Sequence, residues 1–114
     1  MATIKSFTDL QQSKKLAEIL PLESADMCYM YLGTENKEYE NIPICAPAME
    51  GDLCAWSLAA LLGVLPEIQG GKPAISLNDN YITYPHMSDL HTEADNLVDA
   101  CVAMIEKLNE PKML

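Results

Sequence analysis

Residues 53–65, LCAWSLAALLGVL, carry no charge, and only Ser57 among them has a polar side chain. An amphipathic surface helix would show polar residues every third or fourth place, so this pattern predicts a helix buried on most sides. Asp52 stands where it can cap the start, and Gly63 with Pro66 can end it. At ~1.5 Å per residue such a helix is roughly 20 Å long, too short to cross a bilayer. The chain is therefore expected to fold around one central apolar element.

Two further helices and two extended regions surround it. Ser6 with Asp9 resembles a capping box for a helix over 7–20, with Leu10, Leu16, Ala17, Ile19 and Leu20 in one stripe and Pro21 as its stop. Residues 27–32, MCYMYL, read as a buried strand. A polar turn over 33–38 leads to a second strand at 39–45, which Pro43 confines to a sheet edge. Residues 73–77 and 81–84 flank Asn78-Asp79-Asn80, a hairpin signal, and 85–94 reads as a polar connection. Asn96 and Asp99 cap a last helix over 97–108, with Leu97, Cys101, Met104, Ile105 and Leu108 on its core face. The expectation is one globular α+β domain over 1–114, in the order α-β-β-α-β-β-α. It has three helices and an antiparallel sheet of three to four strands. Leu16, Leu20, Tyr29, Leu58, Leu61, Leu62, Cys101, Ile105 and Leu108 are expected in the core.

Charge limits the partners. The 114 residues hold 17 acids against 7 lysines and no arginine, a net charge of −10 that repels phosphate backbones. Direct nucleic-acid binding is not expected. The acidity fits a solvated cytoplasmic protein, and a DNA-mimicking inhibitor would instead place its carboxylates in rows. The opening MATIKSFTDL has no apolar stretch of signal-peptide type, and no run is long enough for a membrane span. Cys28, Cys45, Cys54 and Cys101 are far apart in apolar surroundings, and free thiols are expected.

The segments AWSLAALLGVLP at 55–66, DNLVDACVAMIEKLNE at 95–110 and the opening SFTDLQQSKKLAEILPLESADM resemble a group of small proteins. These are encoded in gut bacteria of the Bacteroides type and in their phages or mobile elements. The shared pattern consists of core and capping positions, so it transfers no catalytic residue. What the resemblance implies is an accessory role in a phage or mobile element.

Reactive groups are sparse. PHMSDLHTEAD at 85–95 holds both histidines, and His86, His91 and Asp89 are the candidate metal ligands. The same stretch also reads as a solvated acidic connection. Cys28 and Cys101 fall on apolar faces, Cys45 and Cys54 flank the loop before the central helix, and no CxxC occurs. Gly70-Gly71-Lys72 lacks the spacing of a phosphate loop and reads as a plain turn. Tyr29, Tyr31, Tyr39, Tyr81, Tyr84 and Trp56 suit either packing or an interface. In the central segment Ala55, Ala59 and Gly63 form a small-residue ridge that suits another helix of the chain or a second copy, as monomer or homodimer. No cofactor is indicated. The function expected is a non-enzymatic interaction or accessory protein with a protein partner. The alternatives are a small metal-dependent hydrolase built on the 86–95 loop and an acidic anti-defence inhibitor.

Overall fold

In the computed structural model, which describes residues 5–32, 39–49 and 51–114, the apolar run divides into a strand and a helix. Leu53–Ala55 is a strand and Leu58–Val64 a helix of two turns. The predicted single helix loses its first turns because an extended partner is at hand. Met27–Tyr29 (β1) pairs antiparallel with Leu53–Ala55 (β2), in the register Met27↔Ala55, Cys28↔Cys54 and Tyr29↔Leu53. Asp52 does not cap a helix: its carboxylate accepts from the backbone N–H of Tyr31 at 2.9 Å and of Met49 at 3.1 Å. The cap of the helix Leu58–Val64 (α2) is Ser57, whose Oγ accepts from Ala60 N at 3.2 Å. Asp26 in turn accepts from the N–H of Ser57 at 2.9 Å and from its hydroxyl. Ala55 belongs to β2, so the small-residue ridge predicted for one continuous helix is broken.

The described chain holds three helices and two antiparallel sheets, an α+β architecture in the order α-β-β-α-β-β-β-α. It falls into two compact units, residues 7–60 and residues 61–114 together with the described part of 1–6, with the boundary inside α2.

In the 7–60 unit, the first helix is Leu10–Ile19 (α1), three residues shorter at its start than the pattern predicts. Asp9 is its N-cap and Gln12 closes the capping box, so Ser6 has no part in it. A 3-10 turn at Leu22–Ser24 follows. Met27, Tyr29 and Ala55 form a buried cluster against which Phe7, Leu10, Tyr39 and Leu53 pack. Beside it lies a buried polar knot on Thr8. Thr8 N donates to Trp56 O at 2.9 Å, its Oγ1 accepts from Trp56 N at 3.1 Å, and its carbonyl accepts from Tyr29 Oη at 2.7 Å. The Thr8 and Ser13 hydroxyls share a further bond of 2.8 Å. No strand forms over 39–45. Single bridges Tyr31↔Tyr39 and Cys28↔Ile44 replace it, consistent with Pro43 lacking a donor. The turn expected at 33–38 lies outside the described residues.

In the other unit, Ala74–Ser76 (β3), Tyr81–Tyr84 (β4) and Met87–Glu93 (β5) form a sheet in the order β3-β4-β5. The hairpin at 77–80 turns through Asn80, whose φ of 51° lies in the left-handed region that asparagine tolerates. The expected polar connection at 85–94 is mostly strand. Its polar residues deceived the pattern, because only one face of β5 is covered: Leu90 is buried while Asp89, His91 and Glu93 are exposed. The helix Leu97–Asn109 (α3) packs on β4 and β5, capped by Asn96 Oδ1 accepting from Asp99 N at 2.8 Å. Its apolar stripe, Leu97, Cys101, Met104, Ile105 and Leu108, is buried as the spacing predicts. Leu16, Leu20, Tyr29 and Leu61 are buried as well, whereas Leu58 and Leu62 are only half-buried. Two solvated turns cannot bury every leucine of a short helix.

Candidate functional site

The 7–60 unit carries a cleft of about 720 Å³. One wall is the 3-10 turn and the entry to β1, from Leu22 to Met27. The other is the stretch Cys45–Met49, and Cys54 of β2 contributes from the sheet. Leu22 is 55% and Met49 77% exposed, so two large apolar side chains stand open on the rim. Charge enters through Glu23, Asp26 and Asp52. Asp26 and Asp52 are already engaged with backbone N–H groups, so they hold the walls in place. Glu23 is exposed in the 3-10 turn.

Local pairing explains how the cleft is built. Cys28 N donates to Ile44 O at 3.0 Å and Ile44 N to Cys28 O at 2.9 Å, which pins the 44–49 stretch beside β1. The Cys28 thiol reaches Pro47 O at 3.9 Å from the same side. A loop of this kind usually carries polar residues, yet Ala46-Pro47-Ala48-Met49 carries none. That apolar composition in the loop before the central helix is the sequence signal of the cleft.

The sequence-predicted ligands lie in the other unit and are spread along one hairpin. His86 sits in the exposed β4–β5 turn with its ring over Gly71, where an added Cβ would come within 3.2 Å of His86 Cδ2. His91 lies opposite Thr83, its Nε2 3.0 Å from Glu93 Oε1 and its ring 5.1 Å from that of Tyr81. Asp89 is exposed on β5. The structure gives His91 and Glu93 a common bond, and it gives His86 different surroundings. Among the described residues, no three His, Cys, Asp or Glu side chains are grouped to hold a metal ion. Gly70-Gly71-Lys72 belongs to a tight turn closed by reciprocal 2.9 Å bonds between Ile68 and Gly71, with Gly70 at φ 78°.

All four cysteines are free, with Cys28, Cys54 and Cys101 buried and Cys45 exposed. Burial pushes the Cys28 thiol up, and the nearby Asp52 and Cys54 add to the effect. Burial alone raises Cys54 and pushes Cys101 up to about 12. These three thiols stay protonated at neutral pH and are weak nucleophiles there. Tyr84, whose Oη donates to Pro66 O at 2.8 Å, is pushed up to about 12 by burial, and burial raises Tyr29 too.

Each of these groups holds its proton in the folded chain at a pH where the unfolded chain has lost it. Their contribution to stability is complete below the ordinary cysteine value of 9.0 and declines as pH rises above it, a decline that for Cys101 and Tyr84 runs on to about 12. Thermal unfolding followed by circular dichroism should therefore show a falling midpoint between about pH 9 and pH 11. A midpoint constant across that range would contradict the burial of these groups.

The chain matches no known protein family, no curated protein and no solved structure with which it was compared. Among the described residues, no helix is long and apolar enough to cross a membrane.

Proposed function

We propose that the 7–60 unit is a non-enzymatic docking module that holds a short apolar segment of a partner protein, flanked by lysine or arginine, in the cleft beside β1. The observation that carries this reading is the open apolar rim, Leu22 and Met49, on a cleft whose charged side chains are all acidic. Exposed apolar groups around a concavity mark binding surfaces, since water leaves them at a gain in free energy. The acids at the cleft and the net charge of −10 favour a basic flank on the partner and repel an acidic one. An accessory role in a phage or mobile element is the setting that the sequence resemblance suggests for such a module.

Selection of displayed random peptides on the purified protein tests the reading. Enriched peptides should combine an aliphatic or aromatic core with lysine or arginine, and they should bind less tightly as salt is raised. Ala48→Trp, which fills the cleft from its loop wall, should weaken those peptides at least about tenfold, roughly 1.4 kcal/mol, without changing the circular dichroism spectrum. Peptides that bind the Ala48→Trp protein equally well would place the docking surface elsewhere. A selection without enrichment would remove the proposal.

A further inference from the structure

Cys28 and Cys54 are directly opposite each other across β1 and β2. The type of this pair follows from the hydrogen bonds around it. The N–H and C=O of a strand residue point to the same side, and both groups of Cys28 are bonded to Ile44. Neither is left for β2, so Cys28 and Cys54 are a non-hydrogen-bonded pair. Met30 agrees, its carbonyl accepting from Glu40 N at 2.9 Å on that same side. In such pairs the Cα atoms approach to about 4.5 Å and the side chains are closer than at any other antiparallel position. That separation lies at the short end of the ~4.4–6.8 Å range that disulfides span. The two side chains share one face of the strand pair, opposite that of Met27, Tyr29 and Ala55, and Cys54 lines the cleft.

We propose that Cys28 and Cys54 are a modification site, forming a reversible cross-strand disulfide when a small peroxide enters the cleft. The oxidant is hydrogen peroxide, small enough to reach Cys54, which is 9% exposed, whereas Cys28 is 1% exposed. The Cys54 thiolate attacks one peroxide oxygen, the O–O bond breaks, and the leaving hydroxide takes a proton to become water. Cys54 is then a sulfenic acid. The Cys28 thiolate attacks its sulfur, the S–S bond forms, and the S–O bond breaks with release of a second water. Two thiols have lost two electrons and one peroxide has gained them. A dithiol reductant reopens such a bond by thiol–disulfide exchange, attacking one sulfur and releasing the other as a thiol. Burial of both thiols makes the first step slow at neutral pH, and its rate should rise about tenfold per pH unit while the thiol remains mostly protonated. The site is independent of whether the cleft docks a peptide.

The experiment treats the intact protein with hydrogen peroxide, blocks remaining thiols with an alkylating agent and maps the digest by mass spectrometry. The expected result is a peptide pair joined through Cys28 and Cys54, lighter by two hydrogens and released by dithiothreitol. Cys45→Ser, which removes the exposed thiol, should form the same link. Cys54→Ser should lose it while Cys45 is still oxidised. A Cys45–Cys54 link in place of the expected pair would overturn the proposal. So would oxidation of Cys45 with Cys28 and Cys54 both alkylated, or loss of the link in Cys45→Ser. The mapping of the unaltered chain decides the matter even if a variant fails to fold.

Discussion

Trp56→Ala should lower the stability of the protein by about 3–5 kcal/mol, the largest loss expected from any single substitution here. Trp56 is fully buried, and its indole Nε1 donates to Ser24 Oγ at 3.0 Å. Truncation leaves a large cavity and takes a donor from a half-buried hydroxyl. Trp56 also stands at the end of the β2 pairing, where its N–H and carbonyl meet Thr8. Those backbone bonds survive the substitution, so the loss is one of packing and of one side-chain bond. Urea unfolding followed by circular dichroism should show a lower midpoint with an unchanged slope. A loss below about 1 kcal/mol would mean that the indole is not enclosed.

Ile105→Ala should cost about 2–5 kcal/mol in the other unit. Ile105 is fully buried on the face of α3 that packs against β4 and β5. The substitution keeps helix propensity high, because alanine is the best helix former, so the cost reports on the core alone. Lys107→Ala, two residues on and exposed, should stay within about 0.5 kcal/mol. Equal effects for the two would show that α3 has no packed face. The same urea titrations distinguish these outcomes.

Two helices were legible in the chain because each carries its own punctuation. Asn96 and Asp99 mark the start of α3, and its apolar residues repeat every three or four positions, so one face is defined before any contact forms. Pro21 similarly marks where α1 must have ended, although the start was placed at Ser6 when Asp9 does the capping. Both are plausible caps locally, and the choice fell to Gln12, whose side chain reaches back to Asp9 N at 3.1 Å. The hairpin of β3 and β4 was legible from Asn78-Asp79-Asn80, since asparagine at a positive φ is a local property.

The cleft was less legible, because its walls depend on partners distant in the chain. Ile44 is placed by Cys28, and Asp52 by Tyr31 and Met49. The candidate ligands His86, Asp89 and His91 are close in sequence, and the structure puts His86 in the β4–β5 turn while Asp89 and His91 lie along the extended backbone of β5. Strand residues advance about 3.3 Å each, so neighbours in a motif need not converge in space.

Whereas the burial expected along 53–65 is confined to Cys54–Trp56 and Leu61, the sequence by itself determined the amphipathic helix α3, the stops and turns at Pro21 and Asn80, and the net acidity of the chain. These are properties of adjacent residues, settled by side-chain size, caps and backbone φ. Only the tertiary structure decided that Leu53–Ala55 pairs as a strand, that β5 replaces a loop, and that Cys28 faces Cys54. An uncharged run is content in a helix or in a buried sheet, because either satisfies its backbone N–H and C=O groups. The presence of Met27–Tyr29 as a pairing partner selected the strand, and no residue within the run encodes that partner.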